Sequence, residues 1–151
     1  MRLLSYAGLA LWAVLAGAAL PVQAGINIHL RQLFGNPLRA SFVQFTVGAL
    51  FLFALTLLLA REPWPGAGAL GRAPGWVWTG GLLGALYVVS AIVLVPRLGS
   101  AVTFALVVAG QMGISLAIDR FGLFGLHAAP LSLTRLGGAA LLVAGVLLIR
   151  R

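Results

Sequence analysis

The sequence predicts an all-α protein, an integral membrane bundle of five transmembrane helices forming one domain over residues 1–151. Two observations carry this. Of the residues, 62% are hydrophobic, and the charged ones are only ten Lys+Arg and two Asp+Glu, far below the roughly 25% of a soluble domain. Those charges divide the chain into uncharged stretches, and the ones at 3–30, 40–60, 73–96 and 98–118 each exceed the ~18 apolar residues that a bilayer-crossing helix needs. Once these helices are placed in lipid, no residues remain for a separate soluble domain.

The first helix is expected over 3–33. Met1-Arg2, the apolar run and Val22-Gln23-Ala24 imitate a secretory signal peptide. The run is longer than the ~7–15 residues of a signal core, however, and continues through Ile26, Ile28 and Leu30. One long helix is therefore predicted, bent at Pro21, where the missing amide leaves a carbonyl unpaired. Gly35-Asn36-Pro37 makes a tight turn into helix two, over 38–60.

The Gly- and Pro-rich segment 61–74 is the longest polar connection, with Trp64, Trp76 and Trp78 at its borders, as an interfacial aromatic belt would place them. Helix three is expected over 75–95, stopping at Pro96, so that Pro96-Arg97-Leu98-Gly99 forms a short turn. Helix four then covers 100–118. The segment 121–134, broken by Gly122, Gly125 and Pro130, is too short to cross and is expected at the interface. Helix five, over 131–149, has an apolar run of about 21 Å at ~1.5 Å per residue. Arg135, Arg150 and Arg151 must therefore snorkel, or the bilayer must thin.

A net charge of +8 raises nucleic acid as a partner, but the positions exclude it. All ten basic residues are arginines, nearly all at the ends of apolar runs, where long cationic side chains reach the headgroups. The partner they indicate is the lipid bilayer. Five crossings put Arg2, Arg61, Arg72, Arg120 and Arg135 on one face and Arg31, Arg39, Arg97, Arg150 and Arg151 on the other. Orientation is normally set by an excess of Lys and Arg in cytoplasmic loops, and here there is none. Either the chain inserts both ways round, or a weak bias near the first helix decides.

Dual insertion bears on function because many transporters are built from inverted repeats around a midplane site. A five-helix chain without an internal copy obtains the missing half from an antiparallel homodimer. Ala101, Ala105, Ala109, Gly113 and Ala117 recur at spacing four on helix four, a small-xxx-small pattern that lets backbones approach. That stripe serves a dimer seam or packing within one subunit. Gly80-xxx-Gly84 is a weaker instance of the same pattern.

Polar groups at membrane depth are costly and by default mark a pathway. Gln23, Asn27 and Arg31 follow one another at spacing four and form a single stripe just past Pro21. His29, about 200° round from Asn27, falls outside it. Gln44, Ser90, Tyr87 and Gln111 are the other deep polar residues. Each alone serves equally as interhelical glue worth ~0.6 kcal/mol. Together the amides, phenol and hydroxyl bind a neutral polar solute without burying charge, with Arg31 guarding one mouth. The acids, Glu62 and Asp119, sit at predicted helix ends, so no mid-membrane carboxylate is available for a cation or a coupling proton. Two isolated histidines and no cysteine give no metal site, and no nucleophile lies near a base, so neither enzyme activity nor a cofactor is expected.

Pro21-Val22-Gln23-Ala24-Gly25-Ile26-Asn27, Leu30-Arg31 and Gly35-Asn36-Pro37-Leu38, followed by Ser41-Phe42 and Val47-Gly48, resemble the front half of the YdcZ-type family of the drug/metabolite transporter superfamily. Gly80-Gly81-Leu82-Leu83-Gly84-Ala85, Val95-Pro96-Arg97-Leu98-Gly99, Gly110-Gln111 and Asp119-Arg120-Phe121-Gly122 resemble its back half. The resemblance implies five helices, residence in the bacterial inner membrane, and an antiparallel dimer or fused pair. It also implies kinship with the small multidrug resistance exporters, which keep a glutamate on the first helix. This chain has Gly17, Pro21 and Gln23 there and no acid, so proton-coupled export of cations does not carry over. The sequence thus points to a multi-pass transporter subunit for a small neutral, weakly polar or anionic solute. The competing reading is a noncatalytic scaffold subunit of a larger complex.

Overall fold

The computed structural model describes residues 2–149. Among them every regular element is helical: α1 (Arg2–Phe34), α2 (Pro37–Leu59), α3 (Ala67–Leu70), α4 (Thr79–Leu98), α5 (Ser100–Phe121) and α6 (Leu133–Ile149), with 3-10 turns at Gly75–Trp78 and Leu123–Gly125. Four of the apolar helices are long enough to cross a membrane, over Tyr6–Phe34, Pro37–Leu59, Gly75–Leu98 and Ser100–Phe121, and Leu133–Ile149 is a shorter apolar helix. The chain divides between Val93 and Leu94, inside α4, into two compact units.

In the first unit α1 runs without interruption across Pro21. The turn after it works as the sequence suggests. Gly35 takes a left-handed φ of 68°, and the Asn36 side chain accepts a 2.7 Å hydrogen bond from the Leu38 amide. Pro37 opens the helix where its missing N–H costs nothing. With so tight a turn α2 packs back along α1, and the small buried residues Ala24, Ala40 and Ser41 let the two backbones approach. Ala40 clusters with Val88 and Ile92 of α4, and Leu30 and Tyr87 pack around them.

Outside this narrow core the unit is covered by exposed apolar side chains such as Leu52, Phe53, Leu82 and Leu86. In water that would be a severe liability, whereas lipid tails solvate it. The hydroxyls of α2 are satisfied within their own helix: Ser41, Thr46 and Thr56 donate to the Pro37, Phe42 and Leu52 carbonyls at 2.8–2.9 Å.

In the second unit α5 packs against α6. Gly122 ends α5 in a left-handed conformation, and its N–H bonds the Ile118 carbonyl. A β-carbon there would meet the Leu126 carbonyl oxygen at 3.0 Å. The chain then returns: Ala129 N–H bonds the Asp119 carbonyl at 2.8 Å, and Arg135 Nη1 meets Asp119 Oδ2 at 3.1 Å. Ser132 caps α6, its hydroxyl accepting from the Arg135 amide at 3.2 Å.

The helix boundaries differ from expectation at several places. The 61–74 connection contains the short α3, α5 runs on to Phe121 where an end near 118 was predicted, and α6 starts at Leu133 where 131 was predicted. The main correction concerns Pro96, which does not stop its helix: α4 continues through it to Leu98. The turn falls instead on Gly99, whose φ is 82°. A proline inside a helix removes one N–H, and the carbonyl four residues earlier loses its donor. Here that carbonyl belongs to Ile92, and Arg31 Nη1 of α1 donates to it at 3.3 Å. A side chain from another helix replaces the bond that proline deletes, so the last turn survives.

Candidate functional site

The polar stripe of α1 meets α2. Asn27 is 2% exposed, and its Nδ2 donates to Gln44 Oε1 at 2.5 Å. An amide carries two donors and a carbonyl acceptor, so each side chain keeps a donor and an acceptor that this bond does not use. Inside lipid these groups gain from any polar partner because no water competes for them.

The pair borders a groove of about 560 Å³ between α1 and α2, lined by Ala18, Ala19, Val22, Gln23, Ile26, Asn27, Leu30, Val43, Gln44 and Val47. Its wall is mostly apolar with three amides at one side, the usual make-up of a small-molecule site. The apolar lining was not singled out in the sequence, although a signal existed. Ala18, Val22, Ile26 and Leu30 recur at spacing four, a second row beside the one that carries Gln23 and Asn27.

The other predicted residues fall in different places. Arg31 is half-buried one turn past Asn27, bonded to the Ile92 carbonyl. Tyr87 packs on the Ala40–Val88–Ile92 core, and its buried hydroxyl has no hydrogen-bond partner among the described residues. Ser90 is half-buried on α4, and His29 is exposed, as its position off the stripe predicts. Gln111 belongs to the second unit, where it is exposed on α5. Among the small residues of α5, Ala105 lines a groove of about 380 Å³ against α6. Ala109 and Ala117 are half-buried, while Ala101 and Gly113 are exposed. Among the described residues no three His, Cys, Asp or Glu side chains gather as metal ligands would.

Apolar helices of spanning length and an amide-bearing groove between two of them define a multi-pass membrane protein with an open groove inside its helical layer. The chain belongs to the family described as "Putative inner membrane exporter, YdcZ", which matches residues 8–148. It is 32% identical over 142 residues to "Inner membrane protein YdcZ" of Escherichia coli (strain K12), covering 91% of each chain. No solved structure matches it. The family resemblance read from the motifs is thus borne out, and the protein resides in the inner membrane.

Proposed function

We propose that this chain is a subunit of an exporter for a small neutral, weakly polar or anionic solute, working by alternating access in an inverted homodimer of five-span subunits. The observation that carries the reading is the Asn27–Gln44 amide pair bordering the α1–α2 groove. A buried and a half-buried amide with spare hydrogen-bonding capacity beside an apolar wall hold an amphipathic molecule without burying a charge. Gln23 extends the polar side. Ser90, Tyr87 and Arg31 complete the candidate set within the first unit.

The inverted dimer is supported by the even division of arginines between the two faces, with the small residues of α5 as its seam. The fifth crossing is α6, whose 17 residues span only ~25 Å at 1.5 Å per residue. It reaches both interfaces by snorkelling of its flanking arginines or by local thinning of the bilayer.

The test is a thermal-shift screen of metabolites on the reconstituted full chain, followed by efflux assays of each stabilising compound from proteoliposomes. Compounds that stabilise the wild type should lose their effect on Asn27→Leu/Gln44→Leu, and an undiminished shift would refute the site. Reporter fusions at the C-terminus should be found on both sides of the membrane. A reporter confined to one side removes the inverted dimer.

A further inference from the structure

Seven arginines have described side chains, and Arg39, Arg61, Arg72, Arg97, Arg120 and Arg135 are all exposed, as anchors reaching the headgroups are. Arg31 alone among them is half-buried. Its side chain makes one hydrogen bond, to the Ile92 carbonyl at 3.3 Å, longer than the usual N–H···O range. The guanidinium is always charged and presents a fork of N–H donors. A neutral carbonyl occupies one of them and supplies no counter-charge.

The two acids do not supply it either. Asp119 is paired with Arg135. Glu62 borders a groove beyond the C-terminal end of α2, and the 23 residues of that helix put it ~35 Å from the end where Arg31 lies. A second, independent observation concerns Tyr87. Among the described residues its buried hydroxyl has no hydrogen-bond partner, and its ring packs on the core that contains Ile92 and is flanked by Leu30. Among the described residues, a cation without a counter-charge and a phenol without a hydrogen-bond partner therefore border the same core, and the cation lies one turn from Asn27. Donors of this kind suit an oxyanion.

We propose that Arg31 is the recognition point for an oxyanion, a carboxylate or phosphate group on an amphipathic molecule whose apolar part lies in the α1–α2 groove, with Tyr87 Oη as a second donor. The inference rests on the transport reading of that groove and narrows its substrate class from neutral, weakly polar or anionic solutes to anionic ones. Either a free solute or a lipid headgroup supplies the oxyanion, and the experiment separates them.

The full chain in dodecyl maltoside micelles, which carry no oxyanion, is titrated separately with octanoate, octanamide and dihexanoyl phosphatidylglycerol while thermal unfolding is followed. Octanoate should bind about tenfold more tightly than its uncharged amide, the scale of one charge-assisted contact. Arg31→Gln, which keeps a donor for the Ile92 carbonyl, should erase that preference. Arg31→Lys should retain part of it, and Arg39→Gln should retain all of it. If phosphatidylglycerol and not octanoate shows the Arg31-dependent effect, the oxyanion comes from lipid and the inference stands with that source. Equal binding of all three probes by wild type, or an unaltered preference in Arg31→Gln, overturns it. Octanoate and octanamide that stabilise wild type and Arg31→Gln equally, but do not stabilise Asn27→Leu/Gln44→Leu, would sink this inference and leave the transport reading standing.

Discussion

The groove between α1 and α2 encloses about 560 Å³ and has three amides in its wall, whereas the groove between α5 and α6, about 380 Å³, is lined by Phe104, Ala105, Val108, Leu141, Leu142, Gly145, Val146 and Ile149. The first helix pair carries polar chemistry at depth. The second has its ion pair at one end, where Asp119 meets Arg135 and the returning Ala129 amide, and at the other end the Thr103 hydroxyl bonds a carbonyl of its own chain segment, Gly99. In lipid, an apolar helix pair gains its cohesion from close packing alone, so polar side chains retained inside the other pair demand a use. Under the proposed transport function, the contrast favours α1 and α2 for solute handling and gives α5 and α6 a structural part.

The sharpest test of that division is Asn27→Leu, which strands the Gln44 amide in a dry setting. The cost should be about 1–3 kcal/mol in unfolding titrations from mixed micelles, with loss of solute-induced stabilisation. Adding Gln44→Leu should recover most of the stability, because both polar partners are then gone, but none of the solute effect. Recovery of both would show that the amides only glue the helices.

A somewhat smaller effect is expected from Arg31→Met, which leaves the Ile92 carbonyl without a donor, at about 1–2 kcal/mol. Pro96→Ala returns an N–H to that carbonyl within α4, so the double variant should regain the loss. Simple additivity of the two substitutions would break the account of why α4 passes through a proline.

In the second unit, Gly122→Ala forces a β-carbon toward the Leu126 oxygen in a left-handed turn and should cost about 1–2 kcal/mol. Solute-induced stabilisation should be unchanged in size, and a diminished one would contradict the structural role given to this unit. The least effect belongs to Asp119→Asn. Its ion pair is more than two-fifths exposed at both side chains, so the loss should stay below about 1 kcal/mol and shrink further in high salt.

Much of the fold is legible because membrane helices announce themselves by length and by charges at their ends. The Gly35-Asn36-Pro37 turn is equally readable, since each residue type has one conformational use there. Gly122 offered the same kind of signal for the end of α5, but the charges of Asp119 and Arg120 suggested an earlier stop. Pro96 misled for a different reason. The rule that proline ends a helix is local, and the donor that overrides it comes from a residue 61 positions away. The amide stripe of α1 could be read from its spacing, yet its union with Gln44 depends on how far α2 slides along α1, a register that neither helix encodes alone. Gln111 shared the chemistry of that set but lies on a helix of the other unit.

The hydroxyls of α2 have a mechanical consequence. Because Ser41, Thr46 and Thr56 are each satisfied by a carbonyl of their own helix, these groups lose no bond when a neighbouring helix is exchanged for lipid or for another protein surface. On this helix Gln44 remains the polar latch toward α1. Away from the packed Ala40 and Ser41, such a helix behaves as a greased slide, where a shift along α1 costs one side-chain hydrogen bond beyond the packing it disturbs.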